Sequence, residues 1–323
     1  MKALLGDYPC TAAFKLRAPL AFEDIRPPSA GFKRVVRGLE FDVAELAITT
    51  FLMAKAAGKP YRLLPAVVLA RMQHPRLVHN AGRGPLAPRD LVGKRIGVRS
   101  YSVTTGMWIR GILAEDHGVD CDRITWVTFE EAHVAEFRDP ANVERAPTGK
   151  KLEQMLLAGE IDAAVTGDAP IADPRIVPVI PDAETAARAW RARTGAIQIN
   201  HMVAVKPSVD TAELMRMLGE SFAAAGNPEM NPFGLEANRR NLEVAIDFVH
   251  RQRLIPRRYT VEELFARSST ATATTPPPPP RSGSGGRSRS RARTRGRCGS
   301  PTTRSAVAWS RTSCASSASA ART

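Results

Sequence analysis

Apolar and polar positions follow two periods along this chain, and each change of period marks an element. Residues 94–113, KRIGVRSYSVTTGMWIRGIL, show both periods side by side. A β-rich run at Ile96, Gly97 and Val98 meets a hydroxyl cluster at Ser100, Ser102, Thr104 and Thr105, after which Trp108, Ile109, Ile112 and Leu113 recur at helical spacing. The pattern predicts strand, turn, helix. Upstream, Val43, Leu46, Ala47, Thr50, Phe51 and Ala54 fall at i, i+3, i+4, i+7, i+8 and i+11, which predicts a helix over 40–57. Glu40, Asp42 and Glu45 then occupy its first turn, where acids suit the helix dipole. Strands are predicted at 2–6, 63–69, 77–79, 124–129, 161–166 and 201–205. Helices are predicted at 151–158, 185–193 and 210–225 and around Leu242, Ala245, Ile246 and Val249, with VEELF at 261–265 closing the folded part. Residues 130–147 are polar and read as loop, and the passage before residue 40 is rich in Pro and Arg. The alternation of strand and helix predicts an α/β fold with a parallel sheet in each of two lobes.

Composition changes this picture at one end only. The 323 residues carry a formal charge of +14, which by itself points to a polyanion partner. Ten of the 46 Lys and Arg and none of the 32 Asp and Glu lie beyond residue 267, which leaves the first 267 residues at +4. Residues 268–323 are rich in Arg, Ser and Pro, cannot bury enough apolar surface to fold, and are expected to be a disordered tail. No nucleic-acid partner is expected of the folded part. Cys10, Cys121, Cys298 and Cys314 form no CxxC pair, so neither a zinc site nor a disulfide framework is indicated. No apolar run is long enough to span a membrane. The opening MKALLGDYPC has too short an apolar run for an export signal, so a cytoplasmic protein is expected.

Candidate chemistry sits at element ends. A helix beginning at Thr104 and Thr105 offers unpaired N–H groups to a carboxylate. Arg71, just past the strand at 63–69, offers a planar fork to the same kind of group, and Gln73 and His74 follow it. His201, beside a strand, titrates nearest neutrality and is the first candidate for proton transfer. Each has a plain structural reading as well: an ordinary N-cap, a surface Arg, a hydrogen-bonded His. GxGxxG, GxxxxGK[ST] and HExxH are absent, so no cofactor is implied, and no spacing asks for a metal.

Read in order, EFDVAEL (40–46), ARMQH (70–74), GKRIGV (93–98), Tyr101, Thr104, WIRGIL (108–113), AGEID (158–162), RTG with His201, and GLEANR (234–239) resemble the 4,5-dihydroxyphthalate decarboxylase family. The resemblance covers about residues 1 to 267. It implies a type II periplasmic-binding-protein-like fold reused as an enzyme, with a ligand cleft between a lobe of residues 1–80 and 201–267 and a lobe of residues 81–200. It further implies a cofactor-independent carboxy-lyase that turns an aromatic dicarboxylate such as 4,5-dihydroxyphthalate into protocatechuate by protonating the ring. His201 or His74 would handle the proton. Arg71, Tyr101, Thr104 and Thr105 would hold the substrate, and Glu45 would contact its hydroxyls. Asp168 departs from the family pattern, which tends to have a basic residue near that place, and against that pattern the passage before residue 40 and the passage at 226–233 are both short. The alternative is a solute-binding protein of an ABC importer that takes a small organic anion without chemistry. Either way the expected partner is a small carboxylate, with neither membrane nor nucleic acid and with homo-oligomerisation open.

Overall fold

The computed structural model describes residues 1–167 and 171–266. Asp168 and the tail at 268–323 lie outside them. The chain begins with β1 (Lys2–Leu4), α1 (Pro9–Arg17), β2 (Ala21–Phe22), α2 (Phe32–Val36), β3 (Val43–Ala47), α3 (Ile48–Ala56), β4 (Arg62–Ala70) and β5 (Leu77–Asn80). It continues through β6 (Arg95–Val98), α4 (Thr104–His117), β7 (Thr125–Thr128), β8 (Val143–Arg145), α5 (Leu152–Ala158), β9 (Ala163–Val165), β10 (Ile176–Pro178) and α6 (Ala183–Thr194). Last come β11 (Ile199–Val205), α7 (Ala212–Ala224), α8 (Leu235–Arg251) and α9 (Val261–Phe265).

These elements form a mixed α/β fold with two sheets, the architecture the resemblance implies. One sheet has the order β2-β1-β3-β11-β4 and the other β10-β5-β9-β6-β7-β8. The first is parallel through β2, β1 and β3, while β11 runs antiparallel to both β3 and β4. In the second, β9, β6, β7 and β8 run parallel and β5 and β10 antiparallel. The chain enters the second sheet at Leu77 and re-enters the first at Ile199. Among the described residues no helix is long and apolar enough to cross a membrane.

The helix expected over 40–57 is a strand followed by a helix. Val43–Ala47 is buried at every position between β1 and β11, so its two covered faces erase the period of two that identifies a half-buried strand. The run then enters α3 without a break, and the joined apolar positions imitate a helical stripe. The three acids have other partners: Glu40 binds Arg34, Asp42 accepts from the Lys2 N–H at 2.9 Å, and Glu45 is buried. The passage before residue 40 holds α1, β2 and α2. Pro9 starts α1 where its missing N–H costs nothing, and Phe14 packs in one cluster with Leu214, Leu218 and Phe222 of α7. The stretch read as loop contains β8, which adds to the sheet edge by pairing Val143 with Trp126. At α7, Thr211 is the N-cap, Asp210 accepts from the Ala212 N–H at 3.1 Å, and Glu213 pairs with Arg216.

The main core lies around α3, α4 and α8. Trp108 of α4 meets Trp190 and Phe248 edge to face, and its indole N–H donates to the Ile199 carbonyl at 2.8 Å. That bond ties the helix leaving β6 to the strand returning to the first sheet.

Candidate active site

Where β3, β4, β6 and β9 end and β11 begins, the chain encloses a cavity of about 420 Å³. Open α/β sheets bind ligands at this edge of their strands. Two helices start there, α3 directly from β3 and α4 after the turn at 99–103, with apolar N-caps Ala47 and Val103 that make no side-chain cap. The expected hydroxyl cap is therefore absent: Ser100 and Ser102 face each other, and Thr104 and Thr105 are the first two residues of α4. The Thr104 hydroxyl accepts from the Thr49 N–H at 3.3 Å, so the two helix starts are joined.

Arg71, Thr104, Thr105 and His201 all line this cavity. Arg71 continues β4, its N–H donating to the Gln198 carbonyl at 3.4 Å. Gln73 steadies the segment by donating to the Arg71 carbonyl at 3.0 Å and to Asn200 Oδ1 at 2.7 Å. Burial, then the charge of Arg76, lowers the Arg71 guanidinium to about 10, which keeps it cationic at neutral pH.

His201 shows the cavity 14% of its side chain, and its Nδ1 lies 2.5 Å from Glu45 Oε1. Glu45 itself is fully buried. Its carboxylate accepts from the Tyr8 hydroxyl at 2.7 Å and the Gly6 N–H at 2.8 Å. Burial works to raise this carboxyl, but His201, Tyr8 and Gly6 together outweigh it and hold the group below the usual carboxylate range. A charged acid thus fixes the imidazole and leaves Nε2 for a ligand. Glu45 stands behind His201 and does not line the cavity, because its carboxylate is taken up by Gly6, Tyr8 and His201; the contact with substrate hydroxyls expected of it is therefore not available.

Two more expected residues lie elsewhere. His74 is fully buried, edge-on to Trp190, with neither ring nitrogen hydrogen-bonded, and burial lowers it to about 4. Tyr101 faces a different cavity of about 410 Å³, where the Arg110 guanidinium stacks 3.9 Å from its ring. The turn after β6 rotates Tyr101 away from the helix start that it precedes.

Periodicity gave no sign of the cavity's other polar groups. Arg99 follows β6 and pairs with Glu130 at 3.3 Å. His133 comes from the aperiodic stretch after β7, and its Nδ1 lies 2.9 Å from the Thr50 hydroxyl. Phe32 sits between the two imidazoles, edge to face with His133 and His201 at 5.5 and 5.2 Å. The one available signal was residue type, since a histidine on a loop after a parallel strand is a natural candidate. Among the described residues no three His, Cys, Asp or Glu side chains gather as a metal site would require.

No family model matches the chain. A 4,5-dihydroxyphthalate decarboxylase from Pseudomonas putida is 33% identical over 178 residues, which cover 51% of this chain and 69% of the relative. The chain belongs to the 4,5-dihydroxyphthalate decarboxylase family. A second member, from Comamonas testosteroni, is 29% identical over 203 residues, covering 57% of this chain and 60% of the relative's length. Solved structures show weaker likeness. The alkanesulfonate-binding protein SsuA from Xanthomonas axonopodis pv. citri, bound to MOPS, is 16% identical with a TM-score of 0.47 over 79% of this chain and 90% of that one. The periplasmic aliphatic sulphonate binding protein SsuA from Escherichia coli is 12% identical with a TM-score of 0.47 over 80% and 92%. In this decarboxylase-family chain, the cavity combines an acid-held imidazole, two arginines and two helix starts.

Proposed function

We propose that this protein decarboxylates an aromatic ortho-dicarboxylate of the 4,5-dihydroxyphthalate type, giving protocatechuate. The observation that carries the reading is the Glu45–His201 pair: a buried carboxylate that orients an imidazole toward a cavity is arranged for proton transfer, which a protein that only binds does not need. Family membership supports the same chemistry. In this reading the cleft divides residues 1–80 and 201–267 from residues 81–200, and the free Cys10 and Cys121 suit a reducing, cytoplasmic setting.

The reaction needs an acid at the ring carbon that bears the departing carboxylate. His201, protonated and held by Glu45, supplies it: the N–H bond breaks, a C–H bond forms, and the para hydroxyl feeds electron density into the ring. The C–C bond to the carboxylate then breaks, its electron pair returns to the ring, and carbon dioxide leaves. One proton is consumed for each carboxylate lost. Arg71 and the starts of α3 and α4 hold the retained carboxylate, and Arg99, reaching in from the second sheet, balances the other until it departs.

The test is incubation with 4,5-dihydroxyphthalate while carbon dioxide release and the aromatic spectrum are followed. Release with a shift to the protocatechuate spectrum supports the reading. Saturable binding with no release over hours would leave a solute-binding protein.

A further inference from the structure

The expected contact between Glu45 and the substrate hydroxyls is lost to burial, so the electron-donating phenol needs another partner. We propose that His133 is that partner: its Nε2 takes the proton of the hydroxyl para to the departing carboxylate as His201 protonates the ring. The assignment rests on the decarboxylase reading.

Placement comes first. His133 lines the same cavity as His201, with Phe32 between the two rings. The ring is pinned at one nitrogen, Nδ1, 2.9 Å from Thr50 Oγ1; with Nδ1–H donating to that oxygen, Nε2 keeps its lone pair for a ligand. The backbone is pinned too. Arg37 donates from Nε to the His133 carbonyl at 2.8 Å and from Nη2 to the Ala132 carbonyl at 2.7 Å, drawing this loop of the second sheet onto α2 of the first. No regular element holds the residue, yet two side chains from the opposite sheet fix it.

Protonation state comes second. Burial, followed by the charges of Arg99, Lys33, His201 and Arg37, lowers His133 to about 3. The nearby acids are already engaged, Glu130 by Arg99 and Glu131 by Lys33 and Arg37. The imidazole is therefore neutral throughout the working range and open to a proton. Such a weak base would not ionise a free phenol. It needs only to act once His201 has protonated the ring, because a para hydroxyl on a cationic ring is a strong acid. The O–H bond then breaks toward Nε2 and leaves a ring ketone. After the C–C bond breaks, the phenolate oxygen takes its proton back, and His133 ends neutral as it began. Two histidines of one cavity, His201 held by a carboxylate and His133 by a hydroxyl, thus divide the acid and base roles.

The experiment compares wild type with His133→Gln on 4,5-dihydroxyphthalate, reading kcat and KM from pH 6 to 9. The expected loss at pH 7 is about 100-fold in kcat with KM changed less than about threefold. The ratio of wild-type to variant kcat should then shrink as pH rises toward the phenol's own pKa of about 10, because the variant can use only substrate already ionised. His201 is the same in both proteins, so its contribution cancels from the ratio. Bound protocatechuate gives a reading without turnover: its phenolate absorbance should appear at a different pH in His133→Gln than in wild type. A pH-independent loss with an unchanged titration of bound protocatechuate means a structural role and overturns the proposal. Wild-type turnover retained by His133→Gln overturns it while sparing the decarboxylase reading. A wild type that releases no carbon dioxide overturns both.

Discussion

Glu45 and His201 are one unit in two strands, joined by the antiparallel pairing of β3 with β11. The acid is buried, and with the Tyr8 hydroxyl and the Gly6 N–H as its other partners it stays charged and fixes the orientation of the His201 ring. His201→Ala should spare binding and lower turnover by about 100-fold or more. Glu45→Gln should lower kcat similarly with little change in KM, since it alters orientation and not contact; steady-state kinetics on 4,5-dihydroxyphthalate reads both. Arg71→Ala should behave in the opposite way, weakening binding by about 1.5 to 3 kcal/mol through loss of a charge-assisted pair, as a calorimetric titration would show. A normal affinity in Arg71→Ala would return the carboxylate to Arg99 and the helix starts. His201 was legible from residue type. The role of Glu45 was not, because only the strand pairing reveals that its carboxylate meets His201 instead of solvent.

At the scale of elements, α4 links the site to the core. Its first residues line the cavity, its middle carries Trp108 and Gly111, and its end is closed by Gly118 at φ 62°. Gly111 is required by packing. A Cβ there would meet Phe248 of α8 at 2.0 Å, closer than any real contact, and the ring is itself buried. Gly111→Ala gains about 1 kcal/mol of helix propensity, yet overpacking of this kind costs typically about 1 to 3 kcal/mol. We expect a lower melting temperature, partly restored when Phe248→Leu is added, with the double-mutant cycle measuring the coupling. This element was readable because strand, turn and helix each kept a distinct period over 94–113. Residues 43–56 were not, because a strand covered on both faces and the helix after it share one apolar run. The hydroxyl cluster at 100–105 gave the helix start to within a residue or two but not its cap, which is Val103.

Taken as a whole, the molecule buries several histidines and holds them neutral. Of the six in the chain, His74, His79 and His133 are all depressed, each chiefly by burial, with His74 near 4 and His133 near 3. Below about pH 6.5 the unfolded chain binds more protons at these three positions than the folded chain does. The unfolded state then holds more protons, so stability rises with pH across this window and falls as acid is added. With His74 held near 4, its burial alone removes about 3 kcal/mol between pH 6.5 and pH 4. Carboxylates add a separate loss, but later. Glu45 and the ion-paired Asp173 and Glu263 are lowered from ordinary carboxyl values, so their contribution disappears only below about pH 4.5. Urea midpoints between pH 7.5 and pH 5 therefore weight the histidines over the lowered carboxylates, while Asp139, raised by burial, works in the opposite direction. His74 is the one to change, since it lies outside the cavity, makes no hydrogen bond through its ring, and packs on Trp190. His74→Leu replaces an uncompensated polar ring by an apolar group that can meet the same indole. Its stability should fall less steeply with acid than wild type's, with 4,5-dihydroxyphthalate turnover at pH 7 unchanged. A slope identical to wild type would refute burial of His74 as a source of the acid sensitivity, and a lost turnover would put His74 back among the residues that serve the site.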